Sequence, residues 1–188
     1  SILKKITFPL AMTSDNISSN LSPVCARDVF DEFKRKIKIV DGGQSKIGIE
    51  STVIDLTSKP KILRPGIIGV QKIKKILKLP IKNKNNNLKV KSPGMLKKHY
   101  SPGIPVFINQ SKFEKKSAVI YLGKKFENKK NFFSLSKNSN LNEAAFNLYK
   151  TFRLIKKIGF KKIQITRIPL KGIGIAINDR IKRAANKK

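Results

Sequence analysis

Cysteine occurs once in this 188-residue chain, histidine once, and acidic side chains only 11 times against 42 lysines and arginines. A lone Cys25 closes no internal disulfide and supplies no thiolate cluster for zinc, which fits a reducing compartment. A single His99 and scattered carboxylates give no Ser-His-Asp or Cys-His pairing, no carboxylate pair and no metal-ligand cluster, so hydrolytic chemistry is unsupported. No apolar run reaches the roughly eighteen residues of a membrane span, and the first residues (SILKKITFPLAMTSDN) lack the zones of a signal peptide. The expectation is a cytoplasmic protein without a membrane partner. Ser at position 1, with an apolar run almost at once, suggests a chain that begins inside a larger gene product.

What is abundant is apolar material for a core, 39% of residues, and positive charge, +31 net. A chain this basic has a polyanion such as RNA as first candidate partner. The competing reading is a solvated surface in a sequence rich in Lys, Asn and Ile, with lysines spread along every segment. Aromatic residues are sparse around those lysines, so a base-stacking platform is poorly supported.

Ser22-Pro23 reads as a helix start, Ser22 as cap and Pro23 at the first position, with Val29, Phe30, Phe33 and Ile37 on one face. KIVDGG reads as a short strand ending at Gly42-Gly43. STVIDLT and KILR read as a hairpin, and VQKIKKIL as a helix with Val70, Ile73, Ile76 and Leu77 at helical spacing. Lys- and Asn-rich sequence after Leu79 marks a linker, followed by the constrained loop SPGMLKKHYSPGIP. From Val106 the order is strand (PVFI), strand (SAVIYLG), strand (NFFSLS), long helix, strand (KKIQITRI) and short helix (AINDRIKRAAN), which implies an α/β sheet. The domains expected are residues 1–79, a linker or lid over 80–103, and 104–188.

Four segments could hold a phosphate or a small polar ligand. Ser14 and Asn16 precede the helix start, where free N–H groups gather; ordinary loop and cap chemistry is the competing reading. Cys25 in the first turn reads as a small buried side chain. Ser51 and Thr52 enter a strand with hydroxyls on opposite faces. Arg64 closes an apolar strand before Pro65-Gly66, and its rigid fork matches paired phosphate oxygens; a surface ion pair is the alternative. His99 and Tyr100 sit in the loop between domains, where a lid would be, or where a packed linker would need a structural hydrogen-bonder.

Taken in order, TSDN, SP, DGG, GIESTVIDLT, ILRPG, SPGMLKKHYSP and GIGIAINDRIKRAAN resemble threonylcarbamoyl-AMP synthases of the long type. The resemblance implies the C-terminal portion of a YrdC-like twisted α/β sheet domain, a Pro/Gly-rich linker and a small Rossmann-like α/β domain. It implies an enzyme that condenses L-threonine, bicarbonate and ATP into threonylcarbamoyl-AMP and pyrophosphate, with Mg2+ as companion of ATP, in tRNA modification. A tRNA-modifying transferase complex, or tRNA itself, would be the partner. By resemblance Ser14 and Ser51 match threonine contacts, and Asn16, Val24, Arg64 and Tyr100 match ATP contacts. Val24 falls where the family often has Thr, so only its backbone could serve. Thr-Ser-Asp-Asn replaces the usual Pro-Ser-Ala-Asn, and Asp15 beside ATP phosphates is awkward unless it faces away or binds metal. Ser18-Ser19 stands where Ser-Gly is common. The family's N-terminal half, with its Lys- and Arg-bearing nucleotide motif, is expected upstream of this segment. The alternative function is a catalytically inactive, basic RNA- or nucleotide-binding remnant of the fold.

Overall fold

The structure, a computed structural model, describes residues 2–9, 16–17, 19–34, 36–81 and 99–185. Ser14, Asp15, Ser18 and residues 82–98 of the expected linker lie outside them.

The first helix, α1 (Ala26–Phe33), begins later than Ser22-Pro23 suggests. Its cap is Cys25, extended and without a side-chain bond. The reason lies in where the preceding polar groups go. The Ser22 hydroxyl bonds the Glu50 carboxylate, and Asp28, in the first turn, accepts the Val24 N–H at 2.8 Å. Ile37 lies beyond the helix, which ends at Lys34 in a left-handed conformation. The KIVDGG segment is not a strand: Asp41 accepts the Gly43 N–H at 2.8 Å, a local turn that competes with strand pairing, and Val40 is 74% exposed.

The expected hairpin is present. Strands β1 (Val53–Asp55) and β2 (Lys61–Arg64) pair antiparallel, with a bulge at Val53/Ile54. Asp55 accepts both the backbone N–H and the hydroxyl of Thr57, turning the chain toward β2. Helix α2 (Val70–Leu77) follows, and of its apolar face only Ile73 is buried.

The C-terminal part is a four-stranded, wholly parallel sheet of β3 (Val106–Phe107), β4 (Ala118–Tyr121), β5 (Phe132–Ser134) and β6 (Ile163–Ile165), in the order β3-β6-β4-β5. Every residue of β4 and β6 is buried, as expected of central parallel strands. Helix α3 (Leu141–Ile158) links β5 to β6; its cap Asn140 accepts the N–H groups of Asn142 and Glu143. Helix α4 (Gly174–Ala185) packs on α3 and β3. The fold is α/β, as the sequence implied. Leu21, Val24, Ile49 and Tyr100 join the core formed by this sheet and its helices, so the hairpin side and the sheet share one apolar interior.

Among the described residues no helix is long and apolar enough to cross a membrane.

Candidate functional site

The hairpin brings Ser51 and Arg64 together. Arg64, at the end of β2, donates from Nε to the Ser51 carbonyl at 3.0 Å and from Nη2 to the Ser51 hydroxyl at 3.2 Å. Gly66 lies close against the residues just before β1: a Cβ on it would stand 2.4 Å from the Thr52 nitrogen and 2.5 Å from the Ser51 carbonyl carbon. Only glycine permits that approach, which ties the ILRPG and GIEST segments physically.

Tyr100 reaches the same place from later in the chain. Its ring is 1% exposed, stacked on Tyr149 at 5.8 Å, edge-on to His99 at 4.0 Å, and covered by the Arg180 guanidinium at 5.1 Å. Its φ of 59° is an uncommon conformation for a bulky residue. The conformation is held from both sides, since Ser101 donates to the Ser19 carbonyl at 2.9 Å and bridges to Asn20. The Tyr100 hydroxyl is buried without a well-formed hydrogen bond among the described residues, yet Arg64 is close enough to act on it. Burial pushes the phenol pKa up, helped by Glu50 and opposed by Arg180 and Arg64. Arg64 and Tyr100 therefore face one another across a single site.

Asn16 stands in the loop that Tyr100's neighbour pairs with. Its amide donates to the Ile17 and Asn20 carbonyls, each at 3.2 Å, and its Oδ1 is buried without a partner among the described residues. Val24 is buried, its N–H given to Asp28 and its carbonyl bonded by the Ser45 N–H at 2.8 Å. A ligand contact through the Val24 N–H would break one of these bonds, so packing is the role its position favours. Cys25 is partly buried, as the helix cap. Burial pushes His99 below the usual imidazole value, with Arg183, Arg180 and Arg64 acting the same way against Glu50.

A charged cluster beneath the site was not singled out from the sequence. Glu50, next to Ser51, receives Arg180 Nε at 2.7 Å, the Tyr149 hydroxyl at 3.0 Å and the Ser22 hydroxyl. Arg180, on α4, is fully buried and also pairs with Asp179 at 2.8 Å, and Asp179 in turn holds Arg183 at 2.9 Å. Burial raises the Glu50 pKa, but Arg180 and the hydrogen bonds outweigh it, so the carboxyl sits below its ordinary value. In a chain with so few acids, a Glu inside GIEST and an Asp-Arg inside INDR were the available signal.

Among the described residues, the Ser51 hydroxyl, the Arg64 guanidinium and the Tyr100 phenol lie close together. The molecule is an α/β protein in which the hairpin and the segment at His99-Tyr100 meet beside a parallel sheet. The chain belongs to a known family: the model described as threonylcarbamoyl-AMP synthase, C-terminal domain, matches residues 68–186, and a second, described as telomere recombination, matches residues 1–66. The threonylcarbamoyl-AMP synthase of Pyrococcus abyssi is 33% identical over 94% of this chain, and that of Bacillus subtilis 29% identical over 98%. The chain spans little more than half of these relatives, 58% and 59% of their lengths. The crystal structure of P. abyssi Sua5 complexed with L-threonine superposes with a TM-score of 0.76 at 31% identity, covering 92% of this chain and 56% of that one. A form of that protein with a neighbouring His and Tyr changed to alanine matches with the same TM-score at 30% identity.

Proposed function

We propose that this chain supplies one side of the active site of an L-threonylcarbamoyladenylate synthase, which condenses L-threonine, bicarbonate and ATP in the cytoplasm for tRNA modification. The observation that carries the reading is the Ser51–Arg64 pair facing the buried Tyr100 hydroxyl. Ser51, with Ser14 from the preceding loop, is assigned to threonine. Arg64, Tyr100 and Asn16 are assigned to ATP.

In the proposed reaction a carbamate oxygen attacks the α-phosphate and pyrophosphate leaves. The planar fork of Arg64 can offset phosphate charge, sharing or exchanging its Ser51 contact as the nucleotide enters. Tyr100, fixed by the Ser19 and Asn20 contacts, would close over the nucleotide from the loop. That a neighbouring His and Tyr were the residues changed in the P. abyssi relative supports attention to His99-Tyr100. Mg2+ enters only as a companion of the ATP phosphates. Among the described residues no three His, Cys, Asp or Glu side chains gather to hold a metal ion. The charge of +31 supports tRNA, or a transferase complex carrying it, as the partner.

The complete protein containing this chain is expected to release pyrophosphate from ATP only when threonine and bicarbonate are both present. Release that ignores threonine would overturn the assignment. Arg64→Ala in that protein is expected to weaken ATP binding by about tenfold to a hundredfold, the worth of charge-assisted hydrogen bonds to phosphate. Calorimetric titration with ATP reads the change, and unaltered affinity removes Arg64 from the phosphate role. Because Arg64 is the last residue of β2 and only part-buried, the fold should survive the substitution.

A further inference from the structure

The carboxyl ends of β3 and β6 open, together with α4, into a cleft of about 490 Å³ whose lining includes none of Ser51, Arg64 and Tyr100. That size lies within the range of small-ligand pockets, and the carboxyl edge of a parallel sheet is where open α/β folds hold ligands. Two kinds of surface meet in it. Ile108, Ile168 and Ile181 give it an apolar wall, while Arg167 and Lys182 bring two cations.

Neither cation has an ion pair or hydrogen bond among the described residues. The acid closest to Lys182 on α4, Asp179, is already committed to Arg180 and Arg183. Two uncompensated charges over an apolar wall suit a dianion that carries a flat organic body.

The walls are preformed. Asn178 donates to the Ile168 carbonyl at 3.1 Å and the Gly174 carbonyl at 2.8 Å, fastening the loop after β6 to α4. At Gly174 the chain passes so near Pro169 that an added Cβ would lie 2.1 Å from its carbonyl oxygen. On the β3 side, Asn109 turns the chain with φ 55°, and Gln110 donates to the Ile165 carbonyl at 2.9 Å. A cleft held this way loses little entropy when a ligand enters.

We propose that this cleft binds a nucleoside monophosphate, its phosphate on Arg167 and Lys182 and its base against Ile108, Ile168 and Ile181. Thr166, whose backbone continues the ladder to Ile120, lies on the lining beside Arg167 and supplies a hydroxyl for the phosphate or the sugar. The site stands independently of the function proposed for the hairpin.

The test uses this chain carrying Arg64→Ala, which weakens the hairpin site, titrated with AMP and, in parallel, with inorganic phosphate and with adenosine. AMP is expected to bind saturably and more tightly than either comparator. Arg167→Ala and Lys182→Ala should each weaken AMP by about tenfold, the cost of losing one charge-assisted contact. Lys150→Ala, an exposed lysine on α3 outside the cleft, should leave the affinity unchanged. Three results each overturn the proposal: no saturation by AMP, inorganic phosphate binding as tightly as AMP, or an AMP affinity that Lys150→Ala lowers as much as the cleft variants do. Both cleft cations are exposed, so their removal should not disturb folding.

Discussion

Arg180→Ala is expected to lower the unfolding free energy by about 3–5 kcal/mol, the range for removing one partner of a buried ion pair. The substitution leaves Glu50 buried without its guanidinium, held by the Tyr149 and Ser22 hydroxyls and a backbone N–H. It also uncovers the Tyr100 ring, which the guanidinium caps at 5.1 Å. Urea unfolding of the two proteins side by side measures the loss, and a difference below about 1 kcal/mol would mean that water or relaxation replaces the pair. Removing both charges, as Glu50→Gln with Arg180→Met, should cost far less, since the penalty arises from the stranded charge.

The same pair sets a pH dependence whose sign follows from Glu50. Its folded pKa lies below the ordinary glutamate value, so the unfolded chain binds the proton more readily. The pair's contribution to stability is therefore fully present above that value and drains away as pH falls through the lowered folded pKa. Glu50→Gln should flatten this part of the acid limb of a stability-against-pH curve.

Gly48→Ala is the second substitution with a large expected effect. Gly48 has φ +80°, and a Cβ there would stand 2.5 Å from Phe146 Cα and 2.7 Å from the Phe146 carbonyl oxygen. Those atoms are helix backbone, which cannot swing aside as a side chain can. Left-handed strain of about 1–2 kcal/mol and overpacking of about 1–3 kcal/mol together give a loss of about 2–5 kcal/mol. Gly42→Ala is the control: nothing lies within 4 Å of its would-be Cβ and its φ is not positive. Equal midpoints for the two variants in thermal unfolding would show that the loop does not press on α3.

The elements that proved legible were those whose apolar pattern and end signals agree. In the C-terminal part β4 and β6 lie inside SAVIYLG and KKIQITRI, and α3 and α4 follow β5 and β6 in the order expected. The failures came where a polar side chain found a distant or competing partner. Ser22 has the look of a helix cap, but its hydroxyl is taken by Glu50, 28 positions on, and the helix begins at Ala26. Asp41 turns the chain where Ile39 and Val40 suggested a strand. Such choices depend on tertiary neighbours that no local window contains.

The site divides the same way. Ser51, Arg64 and Tyr100 could be singled out because each sits in a constrained motif, and the hairpin, which pairs Arg64 with Val53, brings the Arg64 side chain to Ser51. Arg180 was not, because an Arg inside an amphipathic helix reads as surface. Its complete burial depends on Glu50 arriving from 130 residues away.

The borders of the parallel sheet carry a last consequence. One border strand, β3, is two residues long and follows Pro105, which has no N–H to offer; the other, β5, is three residues long and is preceded by Lys129 and Lys130. So little open backbone, guarded by proline and positive charge, gives a neighbouring molecule almost nothing on which to add a strand. Crowded solutions of the protein should consequently resist growth into stacked β-ribbons.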